Sequence, residues 1–365
     1  GTKEPGLEAG VERPRRIFLL DGHSLSYRAF FALPPSLATT SGQITNAVYG
    51  FTSMLIKLLA EERPDYIAVA FDKGRPTVRL GQYADYKAGR AEAPDEFRQQ
   101  LGLIREVLET LRIPIVEVEG YEADDALATL ACRASEQGID AVIVTADRDF
   151  FQVVRPGIQV LFNRRGISEN TMYDVQAVTA RFGLPPEKYL DYVALKGDTS
   201  DNIPGVPGVG EKTASRLVQD FGSIEALLER TSEIKGRLRQ AIEEHAADLP
   251  RNKELARLEC DLDLDIDIEQ CVVGEWDQDA VRRLFNSLEF RTLLERLEDI
   301  ERNVKPVIER AALDVQTRPQ ADLDDLLAGA APRAVFPWFE EGALRGIGLS
   351  PGGGQASFIR FEAIP

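Results

Sequence analysis

The sequence predicts an α/β fold, in which a mainly parallel central sheet is flanked by helices and followed by a smaller helical subdomain. Three observations carry this reading. Short apolar runs, IFLL at 17–20, YIAVAF at 66–71 and AVIVTA at 141–146, each end in a carboxylate: Asp21, Asp72 or Asp147. Such runs are strands buried on both faces of a parallel sheet, whose carboxyl ends share one edge. Helical segments alternate with these runs, and after about residue 180 the sequence becomes mostly helical.

Residues 1–16 are polar, rich in Gly and Pro, and read as a flexible leader. The α/β core is expected over 17–184. Asn46 to Ala60 carries apolar residues at 47, 48, 51, 54, 55, 58 and 59, a helical period that Asn46 can cap. Ile67 to Phe71 is the second strand. Pro94 precedes a helix from Asp95 to Leu111, strand Ile115 to Val118 follows, and an Ala-rich helix from Glu122 to Ser135 leads to strand Ala141 to Val144. Residues 185–304 form the helical subdomain, with Gly and Pro concentrated in IPGVPGVGEKTA (203–214). Lys305 to Pro319 reads as a linker. Beyond it, DLDDLLAGA (322–330) is helical, and ALRGIGLS and ASFIRFEA are strand-like.

With 365 residues and 44% hydrophobic content, the chain can build two or three cores. It has no apolar stretch of the ~18 residues a membrane helix needs, and its N-terminus lacks a signal-peptide core, so a soluble cytoplasmic protein is expected. Cys132, Cys260 and Cys271 include no CxxC pair, their odd number argues against a disulfide framework, and zinc is equally unsupported. A net charge of −17 runs against nucleic-acid binding unless the charge is segregated. It is. Lys73, Arg75, Arg79, Lys87 and Arg90 stand against one acid, Asp85, whereas no Lys or Arg occurs from Leu258 to Val281.

Nine carboxylates, Asp21, Asp72, Glu122, Asp124, Asp125, Asp147, Asp149, Asp198 and Asp201, fall at strand ends and helix starts. Like charges gathered at one rim cannot all ionise without a cation among them, and hard oxygen donors suit Mg²⁺ or Mn²⁺. A pair of such ions is an engine for phosphodiester hydrolysis. In EADD (122–125), helical geometry sets Glu122 and Asp125 near one face and Asp124 about 100° away. Asp147 and Asp149 share a side if the chain stays extended. Asp198 and Asp201 precede a Gly-rich turn whose backbone N–H groups suit a DNA phosphate and whose carbonyls suit a monovalent ion. Glu211 stands where a nucleotide P-loop needs Lys, which disfavours a γ-phosphate cradle. Likewise His23 occupies the place of the second Asp of a haloacid-dehalogenase-like phosphatase, and reads as a local hydrogen-bonding residue. On a helix, Tyr83, Tyr86, Lys87 and Arg90 would share a face able to stack on bases and hold phosphates.

LLDGHSLSYRAF, VAFDKGRPTVR, YADYKAGR, VEGYEADDALATLA, VTADRDFFQ and GDTSDNIPGVPGVGEKTA resemble, in order and spacing, the 5′-nuclease domain of bacterial DNA polymerase I and the wider flap endonucleases. The likeness runs from about Ile17 to Leu297. It implies a PIN/flap-endonuclease-like fold with a helical arch near 75–98, and hydrolysis of 5′-flap, nicked or gapped DNA in primer removal and repair. RNA primers are candidate substrates. Asp21, Asp72, Glu122 and Asp124 match the first metal site, and Asp125, Asp147, Asp149, Asp198 and Asp201 match positions around a second and any third ion. Tyr86, Lys87 and Arg90 match arch residues at the scissile region, with Arg79 and Tyr83 as further DNA contacts. Gly205, Gly208, Gly210, Lys212 and Thr213 match the helix–turn–helix element that grips the downstream duplex, often with K⁺.

The tail resembles the start of the proofreading-exonuclease-like domain, with polymerase domains expected in cis in a longer, nucleoid-associated protein. The acidic pair of an active proofreading site is missing from AVFPWFEE, where Pro337, Trp338 and Phe339 occupy that region. The rival reading is a catalytically silent DNA-binding module, which has no need for all nine acids.

Overall fold

The computed structural model describes residues 13–90, 92–166, 169–274, 276–304, 314–318, 334–340, 343–352 and 355–360. Two compact units divide at Leu297/Glu298.

In the first unit, β1 (Arg16–Asp21), β2 (Tyr66–Ala70), β3 (Ile115–Val116), β4 (Asp140–Thr145), β5 (Ile158–Arg165) and β6 (Glu169–Tyr173) form a six-stranded sheet in the order β3-β2-β1-β4-β5-β6. Every pairing is parallel except β5 with β6. β1 and β2 are buried almost throughout, because helices cover both faces. Ile17, Leu19, Ala68, Ala70, Ala141 and Ile143 pack in one cluster with the Ala-rich α5 (Ala123–Glu136). Strand alternation sends Phe18, Leu20 and Val144 to the other face, on the side of α1 (Gly22–Ala32), α2 (Asn46–Glu62) and α4 (Asp95–Thr110).

The chain leaves β1 toward β2 on one side and later crosses to β4 on the other. The strand order therefore reverses at β1, and the crevice beyond the carboxyl ends of β1 and β4 is the switch point where open α/β sheets take ligands.

Several local expectations need correction. Asn46 is the first residue of α2 and does not cap it; its amide donates to the Phe30 and Leu33 carbonyls and accepts from buried Gln100. Residues 13–16 join the fold: Arg16 opens β1, Arg13 pairs with Asp65 at 3.1 Å, and the Arg15 guanidinium donates to the Tyr66 hydroxyl at 2.8 Å. Residues 1–12 of the expected leader lie outside the described residues. The segment 75–90 is not one helix. α3 (Thr77–Gln82) ends at Tyr83, turns follow, and Lys87 sits at φ 55°.

Helices α6 (Val175–Phe182), α7 (Tyr189–Lys196), α8 (Glu211–Phe221), α9 (Ile224–Glu229), α10 (Gly236–Glu244) and α11 (Asp248–Leu255) follow the sheet. Buried Phe151, Phe182, Tyr189 and Tyr192 join them to it edge-on and tilted. A buried Asp191 carboxylate accepts from Lys253 at 2.7 Å and from the Ile224 N–H at 3.0 Å, tying α7, α11 and α9 together. α12 (Gln278–Ser287) and α13 (Arg291–Val304) complete the helices described.

In the second unit, β7 (Asp314–Arg318), β8 (Ala334–Glu340), β9 (Ala343–Gly352) and β10 (Gln355–Arg360) form a sheet in the order β7-β10-β9-β8. β7 thus falls inside the segment expected as linker. The expected helix at 322–330 lies outside the described residues.

Candidate active site

Strand register gathers the acids. Asp21 ends β1 and is paired with Ala70, two residues before Asp72; Leu20 is paired with Val144, three before Asp147. Asp21 accepts from the Ser24 N–H at 2.9 Å and the Thr145 hydroxyl at 2.8 Å, so it caps α1 while facing the crevice. Asp72 is more exposed and accepts from the Ala123 N–H at 2.8 Å, at the positive end of α5. Its own N–H donates to His23 Nδ1 at 3.3 Å, and burial holds that imidazole below its ordinary pKa, consistent with a neutral local partner.

Four acids titrate high. Asp21 is pushed up to about 6 by burial, with Asp147 and Asp72 adding repulsion against its two hydrogen bonds. Asp124 is raised well above the carboxylate range by burial, then by Asp21 and Asp147. Asp149 is raised likewise by burial, then by Asp147, Asp201 and Asp198. Asp147 is raised by burial and by Asp201 and Asp198, against a bond from the Asp149 N–H. The repulsions sort the acids into two groups that share Asp147: Asp21, Asp72 and Asp124 on one side, Asp149, Asp198 and Asp201 on the other. Among the described residues no three of these side chains close on a single point as a finished coordination shell. They line a crevice with hard oxygens that repel one another when ionised, a donor set that fits divalent cations.

Glu122, Asp125 and Asp201 are in a different situation. Asp125 is fully buried and clamped bidentately by Arg79 at 2.6 and 2.7 Å, while also accepting from the Glu122 and Glu259 N–H groups at 3.1 Å. Arg79 is itself buried and spends its remaining donors on Glu122 and on the Leu255 and Arg257 carbonyls. Asp125, expected as a metal ligand, and Arg79, expected as a DNA contact, are paired with each other in this structure. Glu122 also accepts from Tyr86 at 2.8 Å and from Lys87 Nζ. Asp201 accepts from the same Tyr86 hydroxyl at 2.7 Å and from Arg90 at 2.7 Å, with Lys87 Nζ 4.0 Å away.

Tyr86, Lys87 and Arg90 therefore converge on the acids, though through a turn rather than a helix face. The Lys87 N–H donates to the Asp201 carbonyl at 3.0 Å, and Arg90 Nε to the Ser200 carbonyl at 3.0 Å. Burial and Asp201 hold the Tyr86 phenol protonated. Tyr86 is buried and cannot stack on a base; Tyr83 faces elsewhere, its ring covered by the Arg251 guanidinium at 5.0 Å. Asp149 opens a single 3₁₀ turn (Asp149–Val153) rather than extended chain.

The loop after α7 closes on itself through paired bonds between Asp198 and Ile203 at 2.9 and 2.7 Å, which hold Asp198 and Asp201 on one turn. Asp198 accepts from the Ser200 N–H at 2.8 Å. Gly205, expected to meet DNA, is packed against the protein: a Cβ there would lie 2.0 Å from the Lys196 carbonyl oxygen. Gly208 is exposed at φ +81° with open space around it, whereas Gly210, the N-cap of α8, has an ordinary φ of −96°. Lys212 is exposed and Thr213 half-buried in the first turn of α8. The sequence reading missed Thr145, which orients Asp21, and the 255–259 segment that completes the Arg79 clamp. A threonine two residues before the first Asp of TADRD was the available signal for Thr145; main-chain carbonyls leave none.

Residues 16–183 match the 5′-3′ exonuclease N-terminal resolvase-like domain, and residues 184–279 match the 5′-3′ exonuclease C-terminal SAM fold. DNA polymerase I of Mycobacterium tuberculosis is 42% identical over 358 residues, covering 95% of this chain and 38% of the relative. That of Bacillus subtilis is 42% identical over 284 residues, 78% of this chain and 32% of the relative. The chain thus spans under two fifths of the length of these relatives. Among solved structures, a T5 5′-exonuclease with bound zinc ions superposes with a TM-score of 0.57 at 20% identity, over 79% of this chain and 99% of that one. The catalytic core of Rad2 in complex with DNA substrate superposes at 0.53 and 17% identity, over 79% and 92%. These likenesses establish a shared fold, and the two matched domains, which together span 16–279, establish that the chain belongs to the 5′-3′ exonuclease family.

Proposed function

We propose that this chain is a structure-specific 5′-nuclease, hydrolysing phosphodiesters of 5′-flap, nicked or gapped DNA in primer removal and repair, with polymerase domains in cis. One observation carries the reading: four acids at the switch point titrate high through burial and mutual repulsion, with the Lys87 ammonium beside them. Mg²⁺ or Mn²⁺ ions would be held by Asp21, Asp72, Asp124 and Asp147 on one side, and by Asp147, Asp149, Asp198 and Asp201 on the other. Bound there, they would supply an ionised water at neutral pH and offset charge on the phosphate.

The rest belongs to the chain. Lys87 and Arg90, held at the rim by Glu122 and Asp201, are placed to turn toward an entering phosphate and offset charge that builds in the transition state. Tyr86, bonded to both Glu122 and Asp201, positions the two acids. Arg79 and Asp125 brace the start of α5 so that Asp124 keeps its aim. The exposed Gly208 turn and the first turn of α8 offer main-chain N–H groups to a duplex phosphate, and carbonyls of 203–210 are the candidate K⁺ ligands.

The test is a 5′-labelled flap duplex incubated with Mg²⁺ or Mn²⁺, with and without EDTA, alongside a matched flap made of RNA. Cleavage near the junction that leaves a 5′-phosphate and a 3′-hydroxyl, and that EDTA abolishes, supports the reading. Binding without cleavage in either metal makes the chain a DNA-binding module.

A further inference from the structure

Two of the three cysteines, unconnected in sequence, meet in the fold. Cys132 lies on α5, and Cys260 lies on the segment after α11. That segment is strapped onto α5 by hydrogen bonds: the Glu259 N–H to Asp125 at 3.1 Å, the Thr129 hydroxyl to the Glu259 carbonyl at 3.2 Å, and the Leu262 N–H to the Thr129 hydroxyl at 3.3 Å. Arg133 adds bonds to the Leu262 and Ile266 carbonyls. Cys260 is thus held between two residues anchored to Thr129, and Cys132 is one helical turn further along α5. This strap brings the Cys260 thiol beside that of Cys132, with Arg155 close by. Cys132 is buried and Cys260 half-exposed, so the pair sits at the edge of the core.

From this juxtaposition we propose that Cys132 and Cys260 are a redox-reactive thiol pair, which a peroxide converts to a disulfide that locks the 255–262 strap onto α5. The neighbouring Cys260 thiol, and then Arg155, bring the Cys132 thiol down to about 7 against its burial, so a thiolate is available at neutral pH. The Cys132 thiolate attacks one peroxide oxygen; the O–O bond breaks, hydroxide leaves and is protonated to water, and Cys132 becomes a sulfenic acid. The Cys260 sulfur then attacks the Cys132 sulfur, the S–O bond breaks, and hydroxide leaves with the Cys260 proton as a second water. Two thiols are oxidised by two electrons and one peroxide is reduced to two waters.

Cys271 is the built-in control. It is fully buried, burial pushes its thiol up to about 11, and it bonds only to the Asp267 carbonyl at 3.6 Å. The bond closes a loop of roughly 130 residues and so restrains the unfolded chain. The locked strap supplies the Glu259 N–H to Asp125 and the Leu255 and Arg257 carbonyls to Arg79.

The experiment treats the folded chain with hydrogen peroxide, blocks remaining thiols under denaturing conditions, and maps peptides without reduction. The expected result is one free thiol, Cys271, and a Cys132–Cys260 link that dithiothreitol reverses, with the same link in Cys271→Ser. Oxidation should raise the wild-type Tm by several degrees and leave that of Cys260→Ser unchanged. If Cys260→Ser folds poorly, Cys132→Ala serves in its place. Links through Cys271, links between chains, or three intact thiols after free cysteine is consumed would each overturn the proposal.

Discussion

Two sets of acids share the rim of the sheet and live under opposite electrostatics. Asp125, Glu122 and Asp201 are met by Arg79, Lys87, Arg90 and the Tyr86 hydroxyl. Asp21, Asp124, Asp147 and Asp149 are met mostly by each other, and all four are raised. Glu122 and Asp125 have spent their charge on the protein as framework, Asp201 stands between the two sets, paired with Arg90 and yet repelling Asp147 and Asp149, and on the proposed reading the second set awaits a cation. Asp124 and Asp125 are neighbours in sequence and fall in different sets, which is what one step of a helix does to two side chains.

Substitution should separate the sets. Asp147 is shared by both repelling groups, so Asp147→Asn is expected to lower single-turnover cleavage by ~10³-fold or more while leaving duplex Kd within a few-fold and Tm unchanged or higher. Asp125→Asn should do the reverse. Removing one partner of a buried ion pair costs about 3–5 kcal/mol, so Tm should fall markedly, with a less than roughly tenfold change in the rate of the folded protein. Rate, Kd and thermal melts on one flap substrate decide it. Equal losses of rate with no difference in stability would dissolve the comparison.

Lys87 faces both sets, bonded to Glu122 and lowering Asp124, Asp147 and Asp149. If its ammonium turns to the phosphate in the transition state, Lys87→Ala should slow the single-turnover rate by ~10²-fold with little change in Kd, the scale of losing one oxyanion donor. A change in Kd alone would make Lys87 a steering residue.

The acidic rim was legible because its signals are local. A strand buried on both faces must be apolar throughout, and a polar residue can first appear where the strand leaves the sheet, which is where Asp21, Asp72 and Asp147 stand. The pairing of acids with cations was not legible, because Arg79 reaches Asp125 across 46 residues and the Arg257 carbonyl across 178. The arch shows how a local signal misleads. Tyr83, Tyr86, Lys87 and Arg90 have helical spacing, yet turns satisfy that spacing equally well, and it is Asp201 that draws Tyr86, Lys87 and Arg90 together. The edge strand β6 escaped for the opposite reason: ENTMY is half-exposed and carries no apolar run.

Acidity offers a gentler probe of the raised set in metal-free protein. Asp21 has a folded pKa of about 6 against an ordinary 3.8. Between those values the folded state binds the extra proton, so stability falls as pH rises through the window, and the full cost is present above about 6. Asp21→Asn removes that cost. Asn still accepts the Ser24 N–H as a cap, and the Thr145 hydroxyl can turn to accept its amide. Without metal, the variant should melt several degrees above wild type at pH 7.5, with the gap closing toward pH 4. A gap independent of pH would mean that Asp21 is not held in its costly ionised form.

The smallest effect is expected where function rests on backbone. Gly208 and Gly210 lie two residues apart in an exposed turn, and only Gly208 has a φ, +81°, that a side chain resists. A non-glycine residue there costs about 1–2 kcal/mol or shifts the turn. The crevice acids lie outside this turn, so Gly208→Val should weaken binding to substrates with a long downstream duplex by a few-fold while sparing cleavage of short single-stranded ones. Gly210→Ala, with ordinary φ and open space around its Cβ, should change neither. The measurement is the ratio of Kd for long and short downstream duplexes at matched salt, since phosphate contacts weaken together as salt rises. A ratio unchanged in folded Gly208→Val would leave the turn as a connector holding Asp198 and Asp201 in place, with the duplex gripped elsewhere.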